Sequence, residues 1–234
     1  MRNEVKKELN NIGIEISADQ AVQFEKYYEL LIEWNEKINL TRITEKSDVA
    51  LKHFADSLTL LNYCEVSEGA KVIDVGTGAG FPGIPLKIMR PDIKLTLLDS
   101  LNKRLNFLSE VCEQIGIEAE LVHARAEDGG RDNKHREKYD VAVSRAVARL
   151  NVLSEYCLPY VKVGGVFAAM KGPDLREEFS QAEEAIETLG GQLISLDEFE
   201  LENAGERTIV VIEKTAHTPK QFPRQSGKIK SKPL

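Results

Sequence analysis

The stretch KVIDVGTGAGFPG, Lys71–Gly83, decides how the rest of the chain is read. Lys71–Val75 has the character of a short buried strand, because Val72, Ile73 and Val75 are apolar and β-branched. Gly76, Gly78 and Gly80 follow at alternate positions, and Gly83 precedes a helically periodic run, Ile84–Met89. Glycine after a strand lets the backbone turn sharply and approach a ligand with no Cβ in the way. A helix entered from such a turn is expected to aim free N–H groups and its positive dipole end at that ligand. A turn used only for chain reversal does not need four glycines in eight residues. A nucleotide-like small molecule is the expected occupant.

Two ligands fit. Taken from Gly78, the run is a dinucleotide-type G-x-G-x-x-G. Taken from Asp74, it is an acid followed two residues later by three alternating glycines. That pattern resembles the first motif of S-adenosylmethionine (SAM)-dependent methyltransferases, where the glycines make room for methionine and ribose and the acid orients the turn or its ligand.

Outward from the turn, βα alternation is regular. Lys94–Leu98 is a strand ending at Asp99 and Ser100, and Asp99 lies 23 residues after Gly76, where an acid caps a ribose in nucleotide-binding α/β folds. A helix over Lys103–Ile115 and a strand over Ala119–His123 come next. Ala126, Glu127 and Asp128 then stand where an adenine edge would lie. Tyr139–Arg145 is a fourth strand, with Arg145 at the carboxyl end where ligands of doubly wound sheets bind. Arg149, a turn later, is a site candidate or a plain surface charge. A helix over Val152–Val161, a strand over Val166–Met170 ending at Lys171 and a helix over Leu175–Leu189 follow. Strands around Gln192–Leu196 and Arg207–Ile212 have no helix between them and form an antiparallel hairpin at the sheet edge. A second βαβαβ half would favour NAD. No tyrosine has a lysine four residues on, so the YxxxK pair of short-chain dehydrogenases is missing. Both points favour SAM.

Residues 1–62 read as helical. One helix opens at Ser17–Gln20 and carries Phe24, Tyr27, Tyr28 and Trp34, expected to pack against the next domain. A second is expected from Ser47 to about Asn62 and puts His53 and Asp56 on one face, either as a surface ion pair or as a polar pair facing the site. Cys64, Cys112 and Cys157 are far apart and lack a CxxC, as in reduced core residues of a cytosolic protein. No apolar run reaches membrane-span length, and the charged start MRNEVKKELNN is unlike a signal peptide. Net charge is −7, yet the residues from Lys214 to Leu234 carry six Lys/Arg and no acid, leaving −13 on the preceding 213. A basic tail on an acidic body suggests an arm for a polyanion; a merely solvated terminus is the alternative.

The slot after the fourth strand is Ser144–Arg145–Ala146–Val147, not the D/N-P-P-Y/F run of amino-methyltransferases. No Pro-Cys pair supplies a thiolate either. The chemistry therefore needs neither a covalent nucleophile nor an amine-binding Asn or Asp. Guanine N7 suits such a site: it offers an in-plane lone pair and has no proton to remove, so alignment can carry the catalysis.

The whole pattern resembles the RsmG (GidB) family, which methylates guanine N7 in a decoding-region loop of bacterial 16S ribosomal RNA. The matching stretches are NLTRI (Asn39–Ile43), HFADSL (His53–Leu58), DVGTGAGFPGIPL (Asp74–Leu86), LLDSLNKRLNFL (Leu97–Leu108), RAED (Arg125–Asp128), SRAVARL (Ser144–Leu150), MKG (Met170–Gly172) and ERTIVVI (Glu206–Ile212). The resemblance implies a class I SAM-methyltransferase (Rossmann-like) domain over 63–213. Its seven-stranded, mostly parallel sheet would end in an antiparallel hairpin, flanked by a helical extension over 1–62 and a basic tail over 214–234. It implies SAM contacts at Gly76, Phe81, Ala126, Glu127 and Arg145, with Asp99 on the ribose; Asp74, Gly78, Gly80 and Ser100 complete the expected cofactor set. His53, Asp56, Arg149 and Lys171 are expected on the guanine and RNA side, with no metal. The implied partner is 16S ribosomal RNA or the small ribosomal subunit, met in the cytoplasm by a monomer.

Overall fold

Seven strands form one sheet in the order β3-β2-β1-β4-β5-β7-β6. They are β1 (Lys71–Val75), β2 (Lys94–Asp99), β3 (Ala119–His123), β4 (Tyr139–Arg145), β5 (Val161–Lys171), β6 (Gly191–Leu201) and β7 (Gly205–Lys214). This computed structural model describes every residue except Ala146 and Asp174, and only the backbone at Arg176. The expected slot after β4 therefore includes one position, Ala146, outside the described residues. The pairs from β3 through β5 are parallel, whereas β7 runs antiparallel to both β5 and β6. The sheet is thus the expected mostly parallel one with a C-terminal hairpin at its edge. Strand order reverses between β1 and β4, which puts a crevice at their carboxyl ends.

The central strands are buried on both faces, and two apolar cores result. On one face, Phe24, Tyr27, Leu31 and Phe54 of the N-terminal helices share a core with Leu97, Leu108 and Val143. On the other, Leu153 and Cys157 pack with Ile73, Phe167 and Ile212. The helix Ala18–Ile38 starts at a capping box in which Ser17 accepts from the Gln20 N–H and Gln20 answers with its side chain.

Three expected elements differ in detail. The helix expected from Ser47 to Asn62 is broken into Lys46–Val49, a π-helical turn Ala50–Ala55, Asp56–Leu58 and Leu60–Tyr63. The expected helix Leu175–Leu189 divides into Leu175–Ser180 and Glu183–Thr188. The helix expected over Val152–Val161 is Leu150–Cys157, followed by a 3-10 turn, and Val161 already belongs to β5.

The tail corrects a further expectation. It lies on the body and is no free basic arm. Arg224 forks onto the buried Glu155, with its Nη2 at 2.6 Å. Lys214 is fully buried against Glu137 at 3.4 Å, and burial pulls its pKa down to about 8 although Glu137 opposes the shift. Arg136 and Arg131, in the loop after β3, bind the carbonyls of Phe222 and Pro223. Phe222 and Ile229 enter the second core. Two of the six tail cations are therefore spent on internal ion pairs, and Lys220, Lys228, Lys230 and Lys232 remain exposed.

Candidate active site

The glycine turn is braced from beneath. Asp74 is fully buried, and its Oδ2 accepts from Thr77 Oγ1 at 2.7 Å and from the Gly83 N–H at 2.9 Å. Asp74 is therefore a fastening of the turn and not part of the cleft wall, which is where its placement among cofactor-contacting residues needs correction. Gly80 needs the same correction. A Cβ there would lie 2.6 Å from Tyr27 Oη and 2.8 Å from Ile84, so it keeps space for packing. Tyr27 itself donates to the Ala79 carbonyl, which ties the N-terminal helix to the turn. No local signal in the sequence marks Tyr27 for this role; its apolar periodicity speaks only of core.

The helix after the turn does not aim the expected free N–H groups at the ligand: Gly83 donates to Asp74 and Ile84 to the Gly80 carbonyl, and most N–H groups of the turn are also taken. Gly76 and Thr77 donate to the Leu98 carbonyl, Gly80 and Phe81 to that of Thr77, and Gly83 to Asp74. The Gly78 N–H goes to Asp99 Oδ2 at 3.0 Å. A pyrophosphate needs such donors; a ligand that needs only room for its methionine and ribose does not. The geometry thereby adds to the preference for SAM that the hairpin and the missing YxxxK pair already gave.

The room is there. A cleft of about 1060 Å³ opens over the turn at the switch point, bounded by Gly76, Gly78, Phe81, Asp99, Ser100 and Arg145. Ala126, Glu127 and Arg149 line its far side. A Cβ on Gly78, whose φ is +60°, would meet nothing nearer than the Gly76 carbonyl at 4.0 Å, so the open space beside it belongs to the cleft. Asp99 also accepts from the Leu101 N–H at 2.9 Å and from Arg104 at 3.2 Å. Its carboxylate is thus oriented at the end of β2, with one lone pair of Oδ1 left for a hydroxyl.

A smaller pocket of about 340 Å³ adjoins the cleft, and His53 and Arg145 line both. Lys171 and Asp56 line only this second pocket. His53 and Asp56 both face this pocket, but no ion pair joins them. Asp56, which opens the third piece of the broken helix, Asp56–Leu58, binds Arg145 at 2.7 Å and Arg207 of β7 at 2.6 Å. His53 lies in the π turn, a device frequent at functional sites, and its Nε2 lies 2.8 Å from Thr41 Oγ1. The His53 ring stacks on Phe81 at 4.6 Å, and the Arg145 guanidinium lies 5.0 Å over the same ring. Burial, helped by the Arg145 charge, lowers the His53 pKa to about 4, so the imidazole is neutral at physiological pH. Lys171 donates to the Ala148 carbonyl and pairs with Glu178 at 2.7 Å. Glu178 in turn accepts from the Leu150 N–H at the start of the helix that follows β4. Arg207 and Glu178 were unmarked in the sequence, because their partners lie far along the chain.

Two buried groups tie stability to pH in opposite senses. The folded-state pKa of His53 is depressed from 6.5, so its contribution is full above that value and fades as pH falls toward about 4. Burial raises Asp74 from 3.8 to about 6, against the hydrogen bonds from Thr77 and Gly83, so its contribution is full at low pH and fades as pH rises through about 6. Asp74→Asn keeps an oxygen for both donors and removes the second effect. By linkage, the stability of the variant relative to wild type should rise between about pH 4 and pH 6, as read by denaturant melts across that range. A flat difference would remove the burial argument for Asp74.

Sheet order, antiparallel seventh strand and a glycine-walled cleft at the switch point define a class I SAM-dependent methyltransferase fold. Solved structures share it. TrmN from Thermus thermophilus overlays with a TM-score of 0.54 at 18% identity, over 68% of this chain and 48% of that one. The fibrillarin pre-rRNA processing protein of Methanococcus jannaschii gives 0.53 at 16%, over 69% and 74%. Sequence narrows the class. The family model described as GidB, rRNA small subunit methyltransferase G, matches residues 20–210, and the chain belongs to that family. It is 52% identical to the ribosomal RNA small subunit methyltransferase G of Desulforamulus reducens, over 98% of this chain and 97% of that protein. It is 51% identical to the protein of the same name from Brevibacillus brevis, over 95% and 94%. The chain is thus a SAM-dependent methyltransferase, and the open cleft, the bare Gly78 face and the oriented Asp99 carboxylate fit that cofactor.

Proposed function

We propose that the chain transfers a methyl group from SAM to N7 of a guanine in small-subunit (16S) ribosomal RNA, with the cleft for the cofactor and the smaller pocket for the base. The observation that carries this reading is the wall shared by the two cavities, His53 and Arg145 held against Phe81. Bound SAM supplies an electrophilic methyl on its sulfonium. Gly78 leaves room for it, Asp99 accepts from a ribose hydroxyl, and Ser100, Ala126 and Glu127 flank the adenine.

The pocket suits an acceptor that keeps no proton. Its one carboxylate among the described lining residues, Asp56, is already bound by two arginines, and a histidine with a pKa near 4 is a weak base. An amine acceptor would need a base; N7 needs only alignment. Arg207 and Lys171 offer donors for the guanine O6 and nearby phosphates, and Arg149 adds charge at the cleft rim. N7 lies in the deep groove of A-form RNA, which side chains do not enter, so the base is presented looped out or unpaired. One chain builds both cavities, which suits a monomer. No helix among the described residues is long and apolar enough to cross a membrane; a ribosomal substrate makes the cytoplasm the place of action.

Tritiated SAM and ribosomal RNA from cells lacking the protein test the reading. Label should enter one guanine of small-subunit RNA, at a position cleaved by borohydride and aniline, which report N7 methylation. Label at another base or atom overturns the acceptor assignment. Lys171→Ala should lower methyl transfer about tenfold, the loss of one charge-assisted contact, with SAM affinity unchanged. A loss of SAM binding in that variant would move Lys171 to the cofactor side.

A further inference from the structure

The C-terminal segment reaches the large cleft. After β7 the chain crosses the body, is pinned by Arg136, Arg131 and the Arg224–Glu155 fork, and ends in the short helix Ser226–Ser231. Ile229 is fully buried beneath that helix. With this face anchored, Ser226 and Lys230 come to line the cleft, joined by Pro233. They stand on the side formed by Arg125, Ala126, Glu127 and Tyr156, remote in sequence from the glycine turn. Ser226 and Tyr156, the latter on the helix Leu150–Cys157, line the same wall. Arg224 also donates to the Lys232 carbonyl, and Asn151 to that of Leu234, so the last residues are held against the body beyond the helix.

The geometry points to the C-terminal segment as a cofactor-binding element that completes the adenosine end of the SAM site. Ser226 and Lys230 supply donors to the adenine or ribose, and Pro233 supplies an apolar surface to the ring. This rests on the cofactor reading above and assigns to SAM a stretch whose positive charge alone suggests RNA. Anchoring is what favours the cofactor. An arm for a polyanion works best extended, whereas this segment spends Arg224 and its own backbone on fixing one geometry beside the cleft.

The test is a calorimetric titration without RNA, followed by a transfer assay with RNA. Wild-type protein, a Ser226→Ala/Lys230→Ala double variant and a chain ending at Gln225 are titrated with SAM and with 5′-methylthioadenosine, which carries only the adenosine half. Both altered proteins should bind both ligands about tenfold more weakly, in parallel, with RNA KM unchanged when transfer is measured at saturating SAM. Wild-type affinity for both ligands in the double variant overturns the inference, and a raised KM for RNA alongside it assigns the segment to the substrate. If the shortened chain fails to fold by near-ultraviolet circular dichroism, the double variant alone decides. Failure of the wild-type protein to bind SAM at all would instead overturn the cofactor reading itself.

Discussion

Gly78→Val should abolish SAM binding while leaving most of the fold in place. Gly78 sits at φ +60°, and its missing Cβ faces the open cleft. A valine there puts two methyl groups where the cofactor must lie. A β-branched residue in the left-handed region adds strain of about 1–2 kcal/mol. The strain lowers stability modestly; the methyl groups exclude the ligand. We expect SAM affinity to fall about 100-fold or more, equivalent to ~2.7 kcal/mol, with a small drop in melting temperature. Gly80→Ala is the matched control. Its Cβ would lie 2.6 Å from Tyr27 Oη, 2.8 Å from Ile84 and 2.9 Å from Leu108, at φ +96°. That variant should lose stability first, and SAM binding only as the turn shifts. Titration calorimetry and thermal melts on the two proteins separate the roles. A Gly78→Val protein with wild-type affinity for SAM would show that the cofactor does not lie over the turn.

The contrast between these two glycines shows where sequence reading stops. Residue types and spacing identify a strand, a tight turn and an acid at the end of the next strand, because each depends on neighbours in the chain. They do not show which way each member of the motif faces. Asp74 and Gly80 turn into the core, and Gly78 turns outward. Arg145 was legible from its place at the carboxyl end of β4, yet its partner Asp56 lies 89 residues away and that partner's second arginine a further long step, 151 residues from Asp56. Nothing in local periodicity encodes such pairs; packing of the N-terminal helices against the sheet creates them. The π turn that carries His53 is invisible for the same reason, since its residues keep ordinary helical periodicity. The tail misled in another way. Its composition is that of a solvated basic arm, but Phe222, Ile229 and two buried ion pairs fix it to the body.

The second large effect is expected at Asp56. Its side chain is 7% exposed and holds Arg145 at 2.7 Å through one oxygen and Arg207 at 2.6 Å through the other. Three elements are joined there: the broken N-terminal helix, β4 and β7. Both guanidinium side chains are mostly buried, 15% and 23% exposed. Asp56→Ala would leave two like charges close together with no counter-ion. Breaking a buried pair in this way costs about 3–5 kcal/mol, much of it from the cation left behind. For a chain of this size that corresponds to a fall in melting temperature of roughly 10 °C. Arg145 would also lose the partner that keeps its guanidinium over Phe81, and with it the wall between cleft and pocket. Methyl transfer should therefore fall further than stability alone explains. Asp56→Asn retains shape and one acceptor oxygen and should lose less on both counts. Arg207→Ala removes one cation and leaves the Asp56–Arg145 pair intact; SAM affinity should be preserved while RNA-dependent transfer drops. If Asp56→Ala melts with the wild type and turns over normally, the double-arginine clamp is not what builds the site.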